Sequence, residues 1–87
     1  MADLEMAYFT ERARQDRHWH VRGTEIYTVL EGEMAIEVES ETHVLAARDS
    51  IVIRPGAVHR VLPEGRSFLC QVVTAACGGG VDKFVVR

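Results

Sequence analysis

The chain has 87 residues, of which 47% are apolar and 26% charged, with a formal net charge of −3 at neutral pH. That is enough chain for one domain, too apolar for a disordered segment, and too poor in clustered Lys and Arg for a general nucleic-acid binder. A domain this small buries only about 60–65% of the surface its unfolded chain exposes, so a bound metal or a partner subunit is an expected source of stability.

Lys83 is the one lysine, and the loose run Arg12, Arg14, Arg17 is diluted by Glu11 and Asp16 into a solvated face. Met1–Phe9 carries Asp3 and Glu5 and lacks the basic start and apolar stretch of a secretory signal. No apolar run approaches the roughly 18 residues of a membrane span. Cys70 and Cys77 are too few for a disulfide framework and form no CxxC pair. The expectation is a cytoplasmic protein with reduced thiols and no membrane partner.

In chain order, the first sixteen residues are the least informative: Met6–Phe9 reads as a strand, and Thr10–Gln15 equally as the start of a helix. From Arg17 onward, short β-rich runs alternate with turn residues, the spacing of a β-sandwich or barrel. Turn signals fall at Arg22-Gly23, Glu31-Gly32, Ser40-Glu41, Arg48-Asp49, Pro55-Gly56 and Pro63-Glu64-Gly65. Glu33–Glu39 alternates strictly, with Met34, Ile36 and Val38 toward a core and Glu33, Glu37 and Glu39 toward water, Ala35 being a small residue on the polar side. Ile51–Arg54, Val58–Leu62, Ser67–Thr74 and Asp82–Val86 read as further strands, and Cys77–Gly80 as a loop. The fold class is all-β, a small antiparallel barrel.

Two-residue hairpins at Glu31-Gly32 and Arg22-Gly23 would fix a register. The first places Tyr27 opposite Ile36 and Glu25 opposite Val38; the second places His20 opposite Glu25 and His18 opposite Tyr27. His18, His20 and Glu25 then share the core face, while Trp19, Val21, Ile26 and Leu30 form an apolar patch outside. A buried carboxylate without a partner costs several kcal/mol or takes up a proton. A divalent cation removes that cost, and imidazole with carboxylate suits Mn, Fe, Co, Ni, Cu or Zn. Tyr27 reads as a core tyrosine with a satisfied hydroxyl, Cys70 as buried packing, Cys77 as an exposed thiol, and His43 as structural on an exposed strand.

At this point the sequence resembles the cupin superfamily. Its first motif is matched by His18-Trp19-His20, then Glu25, then Gly32; its second by Arg48-Asp49-Ser50-Ile51-Val52-Ile53-Arg54-Pro55-Gly56-Ala57-Val58-His59. Two positions depart from the pattern: Arg48 stands where the family usually has glycine, and Arg54 where a proline is frequent. The resemblance implies a jelly-roll, or double-stranded β-helix, barrel over residues 1–87, with the motifs at 18–32 and 48–59. It also implies one divalent transition-metal ion on His18, His20, Glu25 and His59, of which His59 rests on the resemblance alone. Pairing of outer sheet surfaces in the family implies a homodimer. The expected function is metal-dependent chemistry on a small molecule, of dioxygenase, isomerase or decarboxylase type. The other reading is a non-catalytic small-molecule or sugar-binding module.

Overall fold

One long strand organises the molecule. In the computed structural model, which describes residues 2–13, 18–20, 23–62, 65–77 and 83–85, with side chains over 4–13, 23–62 and 65–75, the strands are β1 (Ala2–Thr10), β2 (His18–His20), β3 (Thr24–Val38), β4 (Glu41–Ala46), β5 (Ser50–Ile53), β6 (His59–Leu62), β7 (Phe68–Cys77) and β8 (Lys83–Val85). β3 runs fifteen residues and belongs to both sheets. Its first half pairs with β7 and β5, and β1 adds to β7. Its second half pairs with β4 and β6, and β2 then links β6 to β8. Every pairing is antiparallel, as expected of an all-β barrel. Among the described residues no helix is long and apolar enough to cross a membrane.

The core lies between the two halves of β3. Tyr27 and Val29 enter it from the first half, Met34 and Ile36 from the second, and Leu45, Ile53, Val61, Phe68 and Cys70 fill the space between. A regular strand alternates faces, so odd positions inward before residue 30 and even positions inward after it require one extra residue. The register against β7 shifts between Val29 and Glu31, which is a β-bulge. Gly32 follows it with φ of 77°.

The expected hairpin at Glu31-Gly32 is therefore corrected. Those residues lie inside β3, where the glycine permits a close approach: a Cβ there would stand 2.0 Å from the Ser67 carbonyl oxygen. Glu25, Tyr27 and Val29 do share the core with Met34 and Ile36, but through the bulge, and Tyr27 pairs with Ile51 and Val72, not Ile36. The hairpin that set His20 opposite Glu25 and His18 opposite Tyr27 is also absent, because β2 pairs with β6 and β8. His20 stands opposite Lys83 and His18 opposite His59 and Val85.

Smaller expectations shift as well. The turn between β3 and β4 is Glu39-Ser40, one residue earlier than expected, with φ of 50° and 70°. Ala35 is buried rather than on a polar face, and His43 is half-buried opposite Ile36. Residues 2–10 form a strand, and Glu11 to Ala13 a turn; the rest of the helix alternative lies outside the described residues. Cys70 is fully buried, as expected, whereas the side chain of Cys77 and the glycines after it lie outside the described residues.

Candidate metal centre

Two short turns aim the second motif. Arg54-Pro55-Gly56-Ala57 closes with the Ala57 amide donating to the Arg54 carbonyl at 3.2 Å, and Gly56 has φ of 87°. Proline second and a positive-φ glycine third is the chemistry of a type II turn. It delivers the chain into β6 with His59 as the first strand residue. The other turn, Ala46 to Asp49, is tied to the bulge: the Arg48 amide donates to the Val29 carbonyl at 2.7 Å, and the Val29 amide to the Asp49 carbonyl at 3.0 Å. The Asp49 carboxylate accepts from the Ala46 amide at 2.9 Å, so its role is to hold its own turn. Arg48 has φ of 79°, which explains why glycine suits that position better.

His59 and Glu25 meet at the centre. His59 is 1% exposed and Glu25 6%, and His59 Nε2 stands 2.7 Å from Glu25 Oε1. Within the core, Phe9 stands edge-on to Tyr27 and to Phe68, and Tyr27 stands edge-on to the His59 ring, centroids 5.9 Å apart. His59 Nδ1 lies 2.9 Å from the Ala57 carbonyl. A carbonyl only accepts, so Nδ1 carries a hydrogen and Nε2 presents its lone pair when the ring is neutral. Two lone pairs cannot face each other at 2.7 Å with nothing between them. Either a proton is shared by Nε2 and Oε1, or a cation replaces it.

The remaining carboxylate contacts orient Glu25. The Thr74 hydroxyl donates to Oε2 at 3.3 Å, and the Tyr27 hydroxyl lies at a long 3.5 Å from Oε1. Thr74 was not foreseen, because the pairing of Glu25 with Thr74 joins β3 to β7 across a separation no local signal encodes. A histidine with its second nitrogen tied to a backbone carbonyl, beside a carboxylate held by a hydroxyl, is the arrangement that supports metal ligands. The donor chemistry fits a divalent ion.

Of the four expected ligands, Glu25 and His59 are brought together. The side chains of His18 and His20 lie outside the described residues, but the backbone register sets His18 opposite His59 on the neighbouring strand. Directly opposed positions share a face of a sheet. Among the described residues no group of three or more His, Cys, Asp or Glu side chains converges.

The cupin domain family model matches residues 6–74. This chain belongs to the cupin domain family. It is 43% identical over 58 residues to the uncharacterized protein YdbB of Bacillus subtilis (strain 168), a match covering 66% of this chain and 50% of that protein. The chain thus spans about half the length of that relative. Its fold is similar to a double-stranded β-helix protein of Klebsiella pneumoniae, with TM-score 0.78, 24% identity, and 98% and 76% of the two chains covered. It is also similar to Streptomyces PAC13, a nucleoside dehydratase, with TM-score 0.72, 21% identity, and 99% and 78% covered. Both likenesses show the double-stranded β-helix fold, the jelly-roll expected from the cupin resemblance.

Proposed function

We propose that this cupin domain holds one divalent transition-metal ion on His18, His20, Glu25 and His59 and uses it to act on a small oxygen-bearing molecule. The observation that carries this reading is the buried 2.7 Å approach of His59 Nε2 to Glu25 Oε1, with Nδ1 committed to the Ala57 carbonyl. When bound, the ion supplies Lewis acidity or, if redox-active, a site for dioxygen chemistry.

The chain's own residues prepare the site. The Ala57 carbonyl fixes the tautomer of His59, so that Nε2 is the nitrogen that would hold the ion. Thr74 holds Oε2 of Glu25, leaving Oε1 directed toward Nε2. Tyr27 packs edge-on against the His59 ring, limiting its rotation. Surrounding apolar side chains of the core exclude water from the pair. Four ligands would leave two positions of an octahedral ion for a bidentate oxyacid, enediol or diketone.

Titration of the untagged chain with Co²⁺, followed by visible absorption, tests this reading. Ligand-field bands should saturate at about one ion per chain, and oxalate, used as a bidentate probe, should then change them. Bands that do not respond to oxalate would contradict the open positions. Turnover of a dioxygenase, isomerase or decarboxylase substrate by the loaded chain would distinguish catalysis from binding.

A further inference from the structure

We infer that Lys83 is a substrate-binding residue beside the metal centre and selects a small molecule that chelates the ion as a dianion, a doubly ionised oxyacid. The inference rests on the metal reading above. Lys83 is the one lysine of the chain, and it opens β8, which pairs with β2 at the end of the sheet. The register sets Lys83 opposite His20, Phe84 opposite Trp19 and Val85 opposite His18. His18 in turn stands opposite the buried His59 on β6. Directly opposed positions share a face of a sheet, and so do positions two apart on one strand. His59, His18, His20 and Lys83 therefore fall on one face of neighbouring strands, the face that carries the expected ligands. The same pairings part Trp19 from Ile26 and Leu30 of β3, with which it was expected to form an outer patch, and Val21 lies outside the described residues.

Charge selects among the oxyacid, enediol and diketone that two open positions admit. A divalent ion, the Glu25 carboxylate and three neutral imidazoles leave the centre with a single net positive charge. Lys83 adds a second. A neutral diketone or a monoanion leaves that excess uncompensated, whereas a doubly ionised oxyacid balances it. Reach is adequate as well: opposed Cα atoms of an antiparallel pair stand about 4.5–5.5 Å apart, a span within the length of a four-carbon ammonium stem. The described arginines are placed elsewhere. Arg60 alternates with the buried His59 and Val61 and so occupies the outer face, 4.0 Å from Glu37. Arg66 pairs with Glu33 at 3.1 Å, and Arg12, Arg48 and Arg54 are exposed at turns.

Titration of the cobalt-loaded full chain with oxalate and, as a neutral control, with imidazole tests the inference through the visible bands. Lys83→Gln is expected to weaken oxalate roughly 10- to 100-fold, the loss of one charge-assisted contact. Lys83→Arg should hold oxalate within about threefold of wild type, and imidazole should bind both variants within about twofold. Oxalate should also slow acetylation of Lys83 in the wild type, followed by mass spectrometry, by at least about threefold. Unchanged oxalate affinity in a folded Lys83→Gln chain overturns the inference and leaves the metal reading intact; self-association of that variant would then make the lysine a guard of the sheet edge. An equal loss of imidazole would mark a general disturbance of the centre and overturn it too. Absence of cobalt bands in the wild type would instead remove the metal reading and this inference together. Should Lys83→Gln lose its fold or its cobalt, the wild-type acetylation rate decides, and no protection by oxalate overturns the inference.

Discussion

Replacing Gly32 by alanine should cost far more than the same change at Gly56, although both glycines have positive φ, 77° and 87°. The left-handed backbone penalises any Cβ by about 1–2 kcal/mol at either position. At Gly56 nothing lies within 4 Å of the added carbon, so that penalty is offset only by the roughly 0.5–1 kcal/mol that losing glycine's chain entropy returns at either position. At Gly32 the carbon would meet the Ser67 carbonyl oxygen at 2.0 Å and the Phe68 Cα at 3.0 Å. Carbon and oxygen ordinarily approach to about 3.3 Å even in a weak hydrogen bond. The backbone must therefore yield by more than an ångström where β3 pairs with β7, and forced shifts of that kind cost roughly 1–3 kcal/mol more.

The expected loss for Gly32→Ala is about 1–4.5 kcal/mol. It is a large share of the roughly 4–13 kcal/mol that 0.05–0.15 kcal/mol per residue allows a chain of this length. Urea unfolding followed by circular dichroism measures both variants. A Gly32→Ala loss within about 0.5 kcal/mol of the Gly56→Ala loss would refute the steric argument.

Other consequences follow from the same geometry. Arg48→Gly relieves a left-handed arginine worth about 1–2 kcal/mol and costs roughly 0.5–1 kcal/mol of chain entropy, so urea melts should show a gain of up to about 1.5 kcal/mol. Burial pushes the Cys70 thiol from 9 up to about 11. The folded chain then keeps its proton where the unfolded chain loses it, so stability should fall as pH rises from about 9 to about 11. Denaturant melts across that range should show wild type losing more than Cys70→Ala. The Phe68 amide, donating to Glu11 at 3.1 Å, lowers the Glu11 carboxyl below its ordinary 4.5. Its stabilisation is present above that value and lost as pH falls through the folded one. Glu11→Gln should melt below wild type at neutral pH, and the gap should close below pH 4.5.

Local pattern carried much of the fold. The alternation of Met34, Ile36 and Val38 predicts a core face, and Met34 and Ile36 are fully buried. Gly32 misled because a positive-φ glycine serves hairpins, bulges and close approaches alike, and only the distant Ser67 distinguishes them. The site was legible in an uneven way. His59, supported by resemblance and not by register, makes the closest contact with Glu25. His20, placed opposite Glu25 by an assumed turn, stands opposite Lys83 instead. Strand pairings such as His18 with His59 and Glu25 with Thr74 join distant segments, and nothing in the intervening sequence specifies them.

Metal content of the untagged chain, measured by plasma mass spectrometry after reconstitution with each candidate divalent ion and removal of excess, tests the central claim most directly. About one ion per wild-type chain is expected, falling severalfold in Glu25→Gln and His59→Gln variants that remain folded. Fewer than about 0.1 ion per wild-type chain with every metal, or full occupancy in both variants, would contradict the account.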